Sequence, residues 1–203
     1  MFGDSVNCID YPVEPLAKLA DIVSGITKGR KTKESYLQEV PYMAVSNVKA
    51  GYIDWTMVKT IMATENEINQ YRLLPKDILM TEGGDPDKLG RGALLTEVPE
   101  NCIHQNHIFR VRFKDAVNPI YFEAYLQEGR AKQYFLRCAK QTTGIASINM
   151  TQLRGLPVVV PPIDLQNQFA AFIKEVDKSK LAIQKSLDKL EILQKSLMQQ
   201  YFG

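Results

Sequence analysis

The chain has 203 residues, 45% of them hydrophobic and 24% charged, the mix of a soluble globular protein and not of a disordered one. No apolar run approaches the roughly 18–20 residues that span a bilayer, no signal peptide is legible, and the scattered Cys8, Cys102 and Cys138 argue for a reducing cytoplasm over a disulfide framework. A formal net charge of +2 neither demands nor excludes nucleic acid, because one face can be basic while the remainder is not.

A short helix is expected after Pro15, with Leu16, Leu19, Ala20, Ile22 and Val23 as its apolar side and an end near Ser24-Gly25. Lys28–Lys33 reads as a basic loop. Val40–Val45 reads as a strand, followed by a polar turn over Ser46–Gly51, and Glu65–Tyr71 as a helical turn. A turn at Pro75-Lys76-Asp77 leads into a buried strand, Ile78-Leu79-Met80. The Gly/Asp/Pro-rich segment Glu82–Gly92 is a long loop before Ala93-Leu94-Leu95. Ile103–Phe113 reads as one strand, with Ile108, Arg110 and Arg112 on one parity and Phe109, Val111 and Phe113 on the other. Pro119 opens a helix expected to run to about Arg137, because proline suits the first helical position. A turn at Thr142–Gly144, an extended Ile145–Ile148, a helical turn at Thr151–Arg154 and a strand over Leu156–Val160 complete this part.

From Pro161 onward the pattern changes to heptads. Phe169, Val176, Ile183, Leu190 and Leu197 recur every seventh residue, and Ile173, Leu187 and Tyr201 fill the complementary seam. Lys180 and Gln194 interrupt it, either as register-setting polar positions or as side chains that snorkel to solvent. So narrow a stripe implies a partner helix. The fold class expected is α+β, mixed strands and short helices over residues 1–160, then a long helix over 161–203.

Chemistry of the chain's own is hard to find. Cys102-x-His104-x-x-His107 suggests zinc, but strand periodicity divides the three between opposite faces and no fourth ligand lies nearby. His104 and His107 read better as a polar strand approach, with Gln105 and Asn106 as hydrogen-bonding tips. Asn118-Pro119-Ile120-Tyr121 lacks the second proline of an amino-methyltransferase motif and has no Gly-rich cofactor loop upstream. Glu82–Gly92 lacks the Gly-Lys-Ser/Thr ending of a phosphate-binding loop, and its acidic residues repel phosphate. No nucleophile–base pair is legible. The expectation is a chain without catalytic residues, metal or cofactor.

The order of segments resembles the specificity subunit of type I restriction-modification systems. The resemblance rests on the Leu16–Val23 opening, Tyr42–Val48, the Leu74-Pro-Lys-Asp-Ile-Leu-Met80 element and, most specifically, Ser147–Gln168 with its Pro161-Pro162 before a Gln-rich helix start. The Leu193–Gly203 ending also looks like the end of the family's conserved helical region. Typical members carry two target-recognition domains and two such helices; here there is one of each, a half-length form. The resemblance implies a target-recognition domain over 1–160 and a conserved helix over 161–203 that pairs as an antiparallel coiled coil, acting as a spacer. It implies double-stranded DNA, methyltransferase and restriction subunits, and a second copy or second half as partners, with residues around Pro161–Gln168 as candidates for the methyltransferase contact. A two-fold pair would read a symmetric bipartite site.

On that footing the basic and polar loops become DNA-binding candidates: Lys28, Arg30, Lys31 and Lys33; Ser46, Asn47 and Lys49; Lys88 and Arg91; Gln141, Thr142 and Thr143. The dimerisation set is Phe169, Ile173, Val176, Lys180, Ile183, Leu187, Leu190, Gln194, Leu197 and Tyr201. The competing expectation is a coiled-coil adaptor whose globular domain binds protein.

Overall fold

A computed structural model describes residues 11–31, 36–84, 89–142 and 145–202, and side chains of all of these except 141, 142 and 145. The chain divides into two units, 1–163 and 164–203. In chain order the first contains β1 (Val13–Pro15), α1 (Leu16–Leu19), β2 (Ala20–Ser24), β3 (Gln38–Met43), a 3-10 turn (Val45–Asn47), β4 (Lys59–Ala63), α2 (Glu65–Tyr71), β5 (Ile78–Thr81), β6 (Gly83–Gly84) and β7 (Gly92–Leu94). These are followed by β8 (Ile103–His104), β9 (Ile108–Phe113), α3 (Pro119–Gln127), α4 (Gly129–Cys138), β10 (Lys140–Thr142), β11 (Ile145–Ser147), α5 (Met150–Arg154) and β12 (Pro157–Val159). The second unit is α6 (Ile163–Phe202). The fold class is the expected α+β with a long C-terminal helix.

An antiparallel sheet in the order β2-β9-β5-β7 carries the centre, and β4-β3-β8 forms a second sheet in which β3 and β8 run parallel. β5 is buried on both faces, as its uninterrupted Ile78-Leu79-Met80 run demands. One core cluster joins Met43, Val48, Leu73, Leu79, Leu95, Cys102 and Ile108; a second joins Ile26, Val40, Tyr42, Ala63, Ile68 and Ile103.

Several expected elements are redrawn. The opening helix lasts one turn; Ala20–Ser24 is a strand whose Ile22 and Val23 pair with Val111 and Arg110, the conformation that β-branched residues favour. The strand over Ile103–Phe113 is broken by a turn closed by Ile108 N–H donating to the Gln105 carbonyl at 2.9 Å. The helix after Pro119 is two helices, because Glu128 is extended (φ −74°, ψ 149°) and Gly129 has poor helix propensity. β1 and β4 were not legible: β1 gains its order only by pairing with β12, and β4 by pairing with β3.

The ends of α2 show how local sequence fixes the scaffold. At its start Thr64 and Glu67 form a reciprocal capping box, Glu67 N–H donating to Thr64 Oγ1 at 3.2 Å and Thr64 N–H donating to Glu67 Oε2 at 2.9 Å. At its end the orphan carbonyls of Gln70 and Arg72 accept from the buried Arg110 guanidinium. Asp77 is 1% exposed and takes both arms of the Arg112 fork, at 2.6 and 2.8 Å, plus the Leu74 N–H at 2.7 Å. That explains the Asp of the Leu74–Met80 element: it ties the turn before β5 to β9.

Candidate nucleic-acid interface

The three-residue turn Gln105–His107 is where the candidate loops meet. β2 ends at Ser24, whose hydroxyl donates to the Asn106 carbonyl at 2.5 Å. Ile26 N–H donates to the His104 carbonyl and Asn106 N–H to the Ile26 carbonyl, at 2.8 and 3.1 Å. Gly25 lies between, and a Cβ there would sit 2.0 Å from the His104 carbonyl oxygen, so only glycine permits this approach. This pinning holds the start of the Lys28–Lys31 loop beside the turn.

The other loops join from the opposite side. Gln105 N–H donates to the Met43 carbonyl at 3.0 Å, and its side-chain oxygen accepts from Val45 N–H at 3.4 Å, bringing in the turn that carries Ser46. Glu82 N–H donates to the His107 carbonyl at 3.0 Å, and the Glu82 carbonyl accepts from Ile148 N–H at 2.8 Å. Beyond it Gly83 and Gly84 pair with Ser147 and Ala146 of β11, which pairs in turn with β10. Arg91 returns alongside, its carbonyl accepting from Thr81 N–H at 3.0 Å. The Ser24–Ile26, Met43–Val45 and Glu82 segments are thus all bonded to the turn, and β11 is attached to it through Gly83 and Gly84.

The predicted residues fare differently within it. Lys28 and Lys31 are exposed, as is Ser46, and Arg91 is half-buried. Arg30 is not available: its guanidinium forks onto Glu67, Nε lying 2.6 Å from Oε1 and Nη2 on Oε2, and Nη2 also reaches the Met62 carbonyl. That pairing raises the Arg30 pKa and lowers that of Glu67, mainly through the hydrogen bond between them. Asn47 is a further correction. It is 3% exposed, its amide donates to the carbonyls of Asp54 and Met57, and its oxygen accepts from Ala44 N–H, so it clamps a loop and presents nothing to a groove. Lys49 stands 4.0 Å from the Asp54 carboxylate. Gln141 and Thr142 lie in β10; Lys33, Lys88 and Thr143 lie outside the described residues.

The two histidines separate completely. His104 is fully buried, with Nδ1 3.2 Å from the Tyr71 carbonyl and Nε2 3.4 Å from the Val23 carbonyl, and burial pushes its pKa down to about 4. It belongs to the core, which corrects its reading as a polar approach. His107 is 56% exposed at the side chain and its Nδ1 lies 2.6 Å from Glu82 Oε2. Cys102 is buried and its thiol is pushed up to about 12 by desolvation. Among the described residues no group of three His, Cys, Asp or Glu is placed to hold a metal ion. Glu82, whose carboxylate pairs with His107, is absent from the residues singled out in the sequence. The signal was the polar run His104–His107 interrupting an otherwise apolar strand pattern.

In the second unit, Ile183, Leu187, Leu190, Leu197 and Tyr201 of the expected seam are exposed, as are Lys180 and Gln194, while Phe169, Ile173 and Val176 are half-buried. Lys180 lies 3.5 Å from Asp177 in a solvent-facing pair, worth little by itself. No helix among the described residues is long and apolar enough to cross a membrane.

The family model for the type I restriction modification DNA specificity domain matches residues 15–193. The chain is 27% identical over 197 residues to a Methanocaldococcus jannaschii protein named for the MjaX specificity subunit of a type I restriction enzyme, covering 95% of this chain and 45% of that one. It is 24% identical over 138 residues to the EcoKI specificity subunit of Escherichia coli K12, covering 67% of this chain and 30% of that one. The chain therefore spans less than half the length of these curated relatives. Among solved structures, the HsdS subunit from Thermoanaerobacter tengcongensis is similar with a TM-score of 0.60 at 13% identity, covering 100% of this chain and 47% of that one. The S subunit from M. genitalium gives 0.55 at 15% identity, covering 98% and 46%. A structure described as the basis of complex assembly and conformational transition of the type I R-M system gives 0.64 at 14%, covering 98% and 46%. With most of its length matched, this chain belongs to the type I restriction-modification specificity-subunit family.

Proposed function

We propose that the chain is a non-catalytic DNA-recognition subunit, reading one half of a bipartite site in the cytoplasm and directing methyltransferase and restriction subunits to it. The observation that carries the reading is that the segments leading to Lys28–Lys31 and to Ser46, and Glu82, bond to the Gln105–His107 turn, with β11 and β10 attached next to Glu82 through Gly83-Gly84. Exposed lysines on such loops supply phosphate contacts, and the pinned polar turn supplies base contacts. The exposed seam of α6 supports pairing with a second copy or a second half, which would fix the distance between two recognition domains.

The experiment is DNA retention by the chain, assembled with a methyltransferase subunit, across a salt series. A phosphate-dependent complex loses affinity by orders of magnitude between about 50 and 200 mM salt; no salt-dependent retention at all refutes the reading. A protein-binding adaptor is favoured by one feature, the exposed Tyr52 and Met57. Apolar contacts of that kind respond little to salt.

A further inference from the structure

The pair His107–Glu82 is poorly suited to phosphate. The pair's carboxylate weakens any attraction for a polyanion, so its place beside His107 needs a reason other than charge. Among the described residues it has no third ligand with which to hold a metal. Its geometry offers another use.

The Glu82 carboxylate only accepts, so at 2.6 Å the hydrogen between the two groups sits on His107 Nδ1. In a neutral imidazole this leaves Nε2 as an acceptor. The Asn106 amide nitrogen lies 3.5 Å from Nε2, a contact at the hydrogen-bond limit that an incoming base amino group would replace. The direction of the lone pair is set by the fold, because both residues are held through their main chains. His107 O accepts from Glu82 N–H, Glu82 O accepts from Ile148 N–H, and Asn106 is held on both sides by Ser24 and Ile26. The ring nevertheless projects into solvent.

A fixed acceptor selects donors. On the major-groove edges of the bases, adenine N6 and cytosine N4 donate, whereas guanine O6 and N7 and thymine O4 accept. We propose that His107 Nε2 accepts a hydrogen bond from an exocyclic base amino group in the major groove, with Glu82 as the positioning residue that holds the ring in its accepting tautomer. This deepens the DNA-recognition reading above and rests on it.

The test uses the full chain assembled with its methyltransferase subunit. Selection from randomised duplexes defines the preferred half-site. That site is then remade with purine for adenine, or 2-pyrimidinone for cytosine, one position at a time, which deletes single amino groups. At one position the deletion is expected to weaken wild-type binding roughly tenfold, and to leave binding by His107→Ala and His107→Phe unchanged within about twofold. Glu82→Ala should lose the same discrimination, and Glu82→Gln, which keeps an oxygen for Nδ1–H, should retain most of it. The double variant should lose no more than either single one. The proposal is overturned if every amino deletion costs the His107 variants what it costs wild type. It is equally overturned if His107→Ala weakens all sequences alike and flattens the salt dependence, the mark of a phosphate contact. Failure of wild type to select any sequence is a different result, and it removes the recognition reading itself before any variant is made.

Discussion

Stability should fall as the pH drops below about 6.5, and His104 should be the main cause. Its imidazole is held down to about 4, chiefly by burial and to a smaller extent by Arg110, with the Val23 and Tyr71 carbonyls and Asp77 acting in the opposite direction. In the unfolded chain a histidine titrates near 6.5, so between those values the unfolded state binds the additional proton and gains. The contribution is complete above the unfolded pKa and disappears as pH falls through the folded one. The interval from about 6.5 to about 4, at 1.36 kcal/mol per tenfold change in proton concentration, corresponds to about 3 kcal/mol, against a total stability of roughly 5–15 kcal/mol. Glu67 does not confuse the window, because its pKa is lowered by Arg30 and its loss comes at more acid pH. Urea titrations followed by circular dichroism, from about pH 7.5 down to about pH 4.8, read the slope directly. In His104→Gln, whose amide donates to either carbonyl but does not titrate, the slope should largely vanish; His107→Gln controls for the exposed ring. An unchanged slope in His104→Gln, or a folded-state imidazole titrating near 6.5 by NMR, would refute the reasoning.

Four further outcomes follow from the contacts described. Lys28→Ala and Lys31→Ala should each lower the slope of log affinity against log salt by about 0.9 and leave the melting temperature unmoved. Arg30→Ala should instead cost about 2 kcal/mol in urea titrations, because it strips a half-buried carboxylate of its fork. Asp77→Ala should cost about 3–5 kcal/mol by the same assay, since Arg112 and the Leu74 N–H lose their partner at a site 1% exposed. Leu187→Asp, which places a charge in the exposed seam of α6, should halve the mass seen in light scattering; an unchanged dimer mass would count against pairing through that helix.

The parts legible in the sequence were those fixed by local chemistry. The heptads of α6, the Pro119 helix start and the apolar Ile78–Met80 strand all declare themselves within a few residues. What was missed depends on partners far along the chain. Ala20–Ser24 carries apolar spacing compatible with a helix, and only the β9 ladder about 90 residues later makes it a strand. Arg30 and Asn47 belonged by residue type to a DNA-reading list. Whether such a side chain is free is decided by Glu67 in one case and by the carbonyls of Asp54 and Met57 in the other, and no local rule announces these pairings.

The same reasoning explains why the polar run His104–His107 was the informative irregularity of the recognition domain. A continuous strand through these residues would put His104 and His107, three positions apart, on opposite faces of one sheet. The structure instead ends β8 at His104, whose ring is wholly in the core, and carries His107 on a turn with its ring in solvent. Gly25 makes this possible by letting β2's end approach the His104 carbonyl, and the Ser24–Ile26, Met43–Val45 and Glu82 segments then fasten onto the turn. A Gly25→Ala variant therefore perturbs more than one contact. Its Cβ would meet backbone at 2.0 Å, so either β2 or the turn must move. The expected cost is about 1–3 kcal/mol in urea titrations, together with a loss of sequence discrimination larger than the loss of general DNA affinity. If discrimination survives a destabilisation of that size, the turn is not the element that orients the reading side chains.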